Sequence, residues 1–168
     1  MFNALLRISQ IKSGVREKKF ELIDISDVLS TIADIYVDVA NDVNMTLSVV
    51  LPASPLYIQG DRELLIQQLA NLVENSLRYC PKGSELFLVS KKEKEHVVII
   101  MKDNGPGISE KERERVFECL YRINKVRNDG GIGIGLSLVK AVAELHKGEV
   151  KLYDCNPGLK VEICYPQM

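Results

Sequence analysis

Several short stretches hold residues whose types and spacing can do chemistry. Asn71 and Asn75 stand one helical turn apart, and on a helical wheel Gln68 and Arg78 share their arc. Mg²⁺ takes oxygen ligands in octahedral geometry and keeps waters and substrate phosphates, so a carboxamide oxygen beside a nucleotide is a sensible ligand. A solvated polar face is the competing reading. Asp103-Asn104-Gly105-Pro106-Gly107-Ile108 directly follows an apolar run. Its glycines let the backbone approach a flat base, while Asp103 can accept a hydrogen bond from an exocyclic amine and so select adenine over guanine. A simple turn is the alternative. Gly131-Ile132-Gly133-Ile134-Gly135-Leu136 enters a helical pattern, LSLVKAVAELH, whose first amides can meet phosphate oxygens at the positive end of the helix dipole. The GxGxG spacing matches neither a dinucleotide fingerprint nor a Walker loop, and a mobile surface loop is the other reading. Between the glycine runs, Phe117, Tyr121, Arg122, Lys125 and Arg127 can anchor a segment whose cations reach a triphosphate, or form a solvated charged loop over a buried Phe117.

The elements that must position these residues follow from periodicity. Leu5, Leu6, Ile8 and Ile11 predict a short amphipathic helix over residues 2–13, stopped by Gly14, with Val15 to Lys19 as a linker. Ser26 or Asp27 caps a helix to about Asn44, with Val28, Leu29, Ile32, Ile35, Tyr36 and Val39 on one face. Val43 to Leu51 reads as a strand. Pro52 and Pro55 punctuate the next connection, and Asp61 opens a helix to Tyr79 that Pro81 and Gly83 stop. In that helix Leu65, Ile66, Leu69, Leu72, Val73, Ser76 and Leu77 form the apolar arc. Ser84 to Ser90 and His96 to Lys102 make an antiparallel hairpin, because KKEKE is too short for a crossover helix. A charged helix is expected from about Ser109 to Leu120, then a helix ending near His146 and Gly148. Two last strands, Glu149 to Asp154 and Leu159 to Tyr165, flank a turn at Cys155 to Gly158. Helices alternating with antiparallel strand pairs favour a two-layer α/β sandwich over a doubly wound parallel sheet.

Composition narrows the class. A chain of 168 residues can bury a core without metal or disulfide staples, and a formal charge of -1 offers no overall positive field for nucleic acid. Cys80, Cys119, Cys155 and Cys164 are scattered without a CxxC pair, so reduced thiols are expected. The longest apolar runs, such as Val97 to Met101, are far below the roughly 20 residues of a membrane span, and no signal-peptide core is seen in residues 1 to 20.

In their order, these pieces resemble the catalytic and ATP-binding domain of sensor histidine kinases, in the superfamily of gyrase, heat-shock chaperone and mismatch-repair ATPases. NLVENSLRY resembles the N box, DNGPGI the first glycine box, VFECLYR the F box and GIGIGL the second glycine box. The resemblance spans residues 61 to about 145, with Cys119 standing where proline is frequent. It implies a Bergerat-type fold with a mixed, largely antiparallel sheet, and ATP and Mg²⁺ as ligands. By the same resemblance, Asn75 ligates Mg²⁺, Asn71 orders metal and phosphates, Arg78 touches phosphate, Tyr79 lines the nucleotide and Asp103 reads adenine. Gly105, Gly107 and Ile108 belong to the base pocket. Gly131, Gly133, Gly135 and Leu136 carry the triphosphate under a lid running from about Arg122 to Gly130.

NALLRISQIKSG resembles the end of the second helix of the dimerisation and phosphoacceptor hairpin, so residues 1–19 are expected to be its remnant and 20–168 the catalytic domain. Neither His96 nor His146 sits in a phosphoacceptor-like context; exposed or structural roles are expected for both. Hydrolysing relatives carry a glutamate one turn before the metal-binding asparagine. Here that place is Asn71, and an amide cannot serve as a base near neutral pH. Phosphoryl transfer to a histidine outside this chain is therefore expected. The expected partners are the hairpin of a homodimeric parent and a downstream response regulator, with no nucleic acid and no membrane contact by this fragment, itself a monomer. A cytoplasmic setting is implied, with a parent that can be anchored in the inner membrane. An anti-sigma-type serine kinase and a non-catalytic nucleotide-sensing module are the alternatives.

Overall fold

A computed structural model describes residues 20–105, 135–155 and 158–167. They form β1 (Glu21–Asp24), α1 (Ile25–Asp42), β2 (Thr46–Val50), β3 (Tyr57–Gly60), α2 (Arg62–Tyr79), β4 (Glu85–Glu93), β5 (His96–Asp103), α3 (Gly135–Leu145), β6 (Glu149–Asp154) and β7 (Leu159–Pro166). The predicted helix at 2–13 and the charged helix at 109–120 lie outside the described residues.

Period-two alternation builds the inner face of the main sheet. Leu86 and Leu88 of β4, Val97, Ile99 and Met101 of β5, and Val161, Ile163 and Tyr165 of β7 are all buried. The strand order is β2-β4-β5-β7-β6; β2 runs parallel to β4 and the other neighbours are antiparallel. Register brings the inward residues into rows: Leu88 faces Met101, which faces Val161, and Val97 faces Tyr165. The three helices pack together on this face, α2 between α1 and α3, which makes the expected two-layer α/β sandwich. From α2 alone, Leu64, Leu65, Leu69, Leu72 and Val73 are buried, each contributing about 1.5–3 kcal/mol of transfer free energy.

Several boundaries differ from expectation. Asp24, not Ser26 or Asp27, caps α1: its Oδ1 accepts the Ser26 N–H at 2.9 Å. The helix ends at Asp42, and Asn44 takes a left-handed φ of 61°, where its carbonyl accepts the Gly83 N–H at 2.7 Å. The β4–β5 hairpin is longer than expected, because Glu93 pairs with His96 and leaves Lys94 and Glu95 as the turn. Lys94 holds φ 57° there without the glycine or asparagine usual at such a position. A second, two-stranded sheet was not expected: β1 pairs antiparallel with β3, Ile23 opposite Ile58. These strands are four residues each, too short to show a clear period. Asp61 caps α2 as expected, accepting the Leu64 N–H at 3.2 Å. Among the described residues no helix is long and apolar enough to cross a membrane.

His146 ties the end of α3 to the start of α2. Its Nε2 accepts the Asp61 N–H at 3.0 Å, so the ring proton resides on Nδ1 and is donated to the Val142 carbonyl at 2.7 Å. Phe20 stacks on the ring at 4.7 Å and Tyr165 meets it edge-on at 5.7 Å. Gly60 makes room for it, since a Cβ there would lie 2.5 Å from the His146 Cδ2. Of the exposed and structural roles expected for this residue, the structural one holds. Burial pulls its pKa below the ordinary value, against opposite pulls from the Val142 carbonyl and the Asp61 charge. A histidine with a lowered folded-state pKa leaves the unfolded chain binding more protons, so its contribution to stability is intact above about pH 6.5 and falls as pH drops below it. Thermal melts from pH 7.5 to 5 should therefore show a steeper loss for the natural chain than for His146→Gln; parallel curves would refute this role.

Candidate functional site

Helix α2 divides its polar residues between two stripes. Asn71, Asn75 and Tyr79, at successive four-residue intervals, are half-buried on the open side, with Arg78 exposed beside them. Gln68, Leu72 and Ser76 are buried, and half-buried Cys80 continues their stripe. Gln68 therefore departs from the expected arc. It faces the core, where its Nε2 donates to the Val139 carbonyl of α3 at 2.9 Å and its Oε1 accepts the Tyr165 hydroxyl at 2.5 Å. An amide can enter a core when donor and acceptor both find partners, and here they join α2 to α3 and β7.

Glu74 is exposed but engaged. It accepts the Tyr36 hydroxyl of α1 at 2.5 Å, a bond that, after burial, holds the phenol well above its ordinary pKa. Its carboxylate is thus turned toward α1, away from the Asn71–Asn75 stripe, and no general base is aligned with those amides on α2.

Asp103 closes the inward row of β5, opposite Leu86 of β4, at a position where the alternation calls for an apolar side chain. It is 8% exposed. A carboxylate so buried needs donors, and they come from separate segments. Oδ1 accepts the Gly105 N–H at 2.9 Å and the Leu159 N–H at 3.3 Å; Oδ2 accepts the Ser76 hydroxyl at 3.3 Å. Asn104 points the other way and caps the start of β4, its Oδ1 accepting the Glu85 N–H at 2.8 Å. Glycine is required around this carboxylate. A Cβ on Gly105 would lie 2.5 Å from the Cys80 Sγ, and one on Gly158, at φ +105°, would lie 1.9 Å from the Asp103 carbonyl oxygen.

The structure thus brings Asp103 and Gly105 against the C-terminal half of α2, the helix that carries Asn71, Asn75, Arg78 and Tyr79. Leu136 is buried in the first turn of α3, which starts at Gly135. Gly107, Ile108, Arg122, Gly131 and Gly133 lie outside the described residues. Ser76 and Cys80 were missed as site residues. Ser76 did fall on the apolar arc, and a hydroxyl in an apolar arc is the signal that it has a buried partner.

The residues present fit a purine nucleotide and a phosphate-bound cation. A buried carboxylate with an accepting oxygen can meet an exocyclic amine. Among the described residues no group of three or more His, Cys, Asp or Glu side chains can hold a metal. Amide oxygens supplemented by phosphates and water suit Mg²⁺ at this site.

Known proteins resemble the chain throughout. The family model described as histidine kinase-, DNA gyrase B-, and HSP90-like ATPase matches residues 60–168. The sensor-like histidine kinase SenX3 of Mycolicibacterium smegmatis is 33% identical over 161 residues, covering 94% of this chain and 41% of that protein. The sensor histidine kinase WalK of Bacillus subtilis is 32% identical over 154 residues, covering 89% of this chain and 25% of WalK. The chain thus spans well under half the length of these relatives. Among solved structures, a mycobacterial sensor histidine kinase, MprB, superposes with a TM-score of 0.77 at 27% identity, covering 88% of this chain and 98% of that one. Full-length ShkA in complex with AMPPNP gives a TM-score of 0.84 at 20% identity, covering 98% of this chain and 35% of that one, and supports the fold.

Replacing Gly158 by alanine should strain the backbone at positive φ and push on the strand end that carries Asp103. A loss on the order of 2 kcal/mol is expected in denaturant unfolding. An unchanged midpoint would show that this approach is not tight.

Proposed function

The chain belongs to the histidine kinase-, DNA gyrase B- and HSP90-like ATPase family, and we propose that it is the ATP-binding catalytic domain of a two-component sensor kinase, passing the γ-phosphoryl group of ATP to a histidine on a separate dimerisation hairpin. The observation that carries this reading is the juxtaposition, across the sheet and helix layers, of Asp103 with the helix bearing Asn71 and Asn75. In this proposal Asp103 accepts the exocyclic amine of adenine, Tyr79 lines the nucleotide, and Arg78 meets a phosphate. Gly107, Ile108, Gly131, Gly133, Gly135, Leu136 and Arg122 are assigned to the nucleotide by their place in the motifs. Asn75, helped by Asn71, holds the Mg²⁺ bound to the phosphates. That cation would neutralise charge developing on the transferred group.

Kinase chemistry is favoured over hydrolysis by what α2 lacks. Transfer to an imidazole needs positioning and charge stabilisation, because the incoming nitrogen carries its own lone pair. Activating water needs a base, and Asn71 cannot act as one; Glu74 is turned to Tyr36. Residues 1–19 are proposed as the remnant of the hairpin helix, and the parent as a homodimer that signals to a response regulator.

Incubation with radiolabelled ATP and Mg²⁺, with and without a hairpin that carries the histidine, tests this. Acid-labile, base-stable label should appear on the hairpin alone. Acid-stable label on a serine substrate would instead support the anti-sigma-type alternative, and binding without transfer the nucleotide-sensing one. Asn75→Ala should abolish transfer, and undiminished transfer would remove the metal assignment. Asp103→Ala should weaken ATP binding by about 1.5–3 kcal/mol, the range for a lost hydrogen bond to a charged group; calorimetry reads it directly.

A further inference from the structure

We propose that Ser76 and Cys80, one turn apart on α2, clamp the Asp103 carboxylate in the orientation that selects adenine over guanine nucleotides, and so act as positioning residues of the base site. The inference rests on the reading of Asp103 as the group that meets the purine.

The lone pairs of the carboxylate show why a clamp matters. Each carboxylate oxygen has about two acceptor sites. Those of Oδ1 are taken by the Gly105 and Leu159 amides, so a base amine has to be met by Oδ2. The Ser76 hydroxyl takes one site on Oδ2 and leaves the other available. Cys80 follows Ser76 at the four-residue interval, which puts both side chains on the same stripe of the helix. Its thiol and the carboxylate flank the same glycine: a Cβ built on Gly105 would sit 2.5 Å from the Cys80 Sγ and 3.3 Å from the Asp103 Oδ1. Burial first, and the Asp103 charge second, push the Cys80 thiol up to about 12, so it stays protonated at neutral pH and packs beside the carboxylate as a neutral group, leaving the second Oδ2 site to the base amine. Sulfur is a weak donor, but a protonated thiol cannot repel the carboxylate as a thiolate would.

A carboxylate held in this way discriminates in two directions. It is already aimed at the adenine amine, which removes part of the ordering cost of binding. It is also unable to swing away from the guanine carbonyl, which then faces a negative acceptor with no donor between them. Losing the clamp should weaken adenine binding and relax the penalty on guanine together.

The test compares the natural chain with Ser76→Ala/Cys80→Ala, Ser76→Ala/Cys80→Ser and Asp103→Asn. Binding of ATP and GTP with Mg²⁺ is measured by calorimetry, and thermal melts confirm that each variant is folded. Amide NMR signals of Gly105 and Leu159 in nucleotide-free protein report the carboxylate orientation without any base present. The double alanine variant should shift both amides and lower the ATP-to-GTP affinity ratio about fivefold to tenfold, less than outright loss of a hydrogen bond to a charged group because the carboxylate itself remains. The serine variant should recover most of both. Unmoved amides, or moved amides with a ratio within twofold of natural while Asp103→Asn collapses it, would overturn the clamp alone. If Asp103→Asn itself leaves the ratio unchanged, Asp103 does not read the base, and the clamp's role in selection falls with it.

Discussion

One buried carboxylate constrains the rest of the site. Asp103 ends a row of core side chains, and the cost of burying its charge is met because two distant segments and the adjoining loop deliver donors to it: Ser76 from α2, Leu159 from the start of β7, and Gly105 two residues on. The two distant donors each fix a relation between elements. The helix cannot slide along the sheet without losing the hydroxyl. The start of β7 cannot rise without losing the Leu159 amide, and Gly158 next to it is pressed too close to Asp103 for any side chain. The proposed base site is therefore specified by the same bonds that anchor α2 to the sheet.

That anchoring allows α2 to serve two surfaces. Its inward stripe joins core packing to buried polar pairing through Gln68, Leu72 and Ser76, while the neighbouring stripe of Asn71, Asn75 and Tyr79 stays half-buried at the edge of the layer. Gln68 bridges to α3 and β7, and His146 bridges α3 back to the cap of α2. The helix carrying the proposed metal ligand and the helix beginning at the second glycine run are thus held by buried hydrogen bonds that hydrophobic contact alone would not orient. For the proposed transfer, which depends on alignment, this fixed relation is what the fold contributes.

Much of this was legible in the residues. The long helices, the β4–β5 hairpin and the last strand pair follow from periodicity and from Asp61, Pro81 and Gly83 as punctuation. The motif order identified the family, which the match over residues 60–168 bears out. What escaped is what depends on tertiary partners. β1 and β3 are short strands whose pairing joins residues far apart in sequence. Gln68 reads as polar and so as exposed, and only the presence of both Tyr165 and the Val139 carbonyl makes its burial favourable. Cys80 carries no signal on its own; its meaning comes from lying one turn beyond Ser76 and against Gly105.

The central claim is that one nucleotide spans the two parts of this site, its base at Asp103 and its phosphates at Asn75. A crystal structure with a non-hydrolysable ATP analogue and Mg²⁺ tests it most directly. The predicted result is a single nucleotide with its exocyclic amine on the Asp103 carboxylate and its phosphate-bound cation on the Asn75 carboxamide oxygen. An analogue seated elsewhere, or one touching Asp103 while its metal is held away from α2, would contradict it.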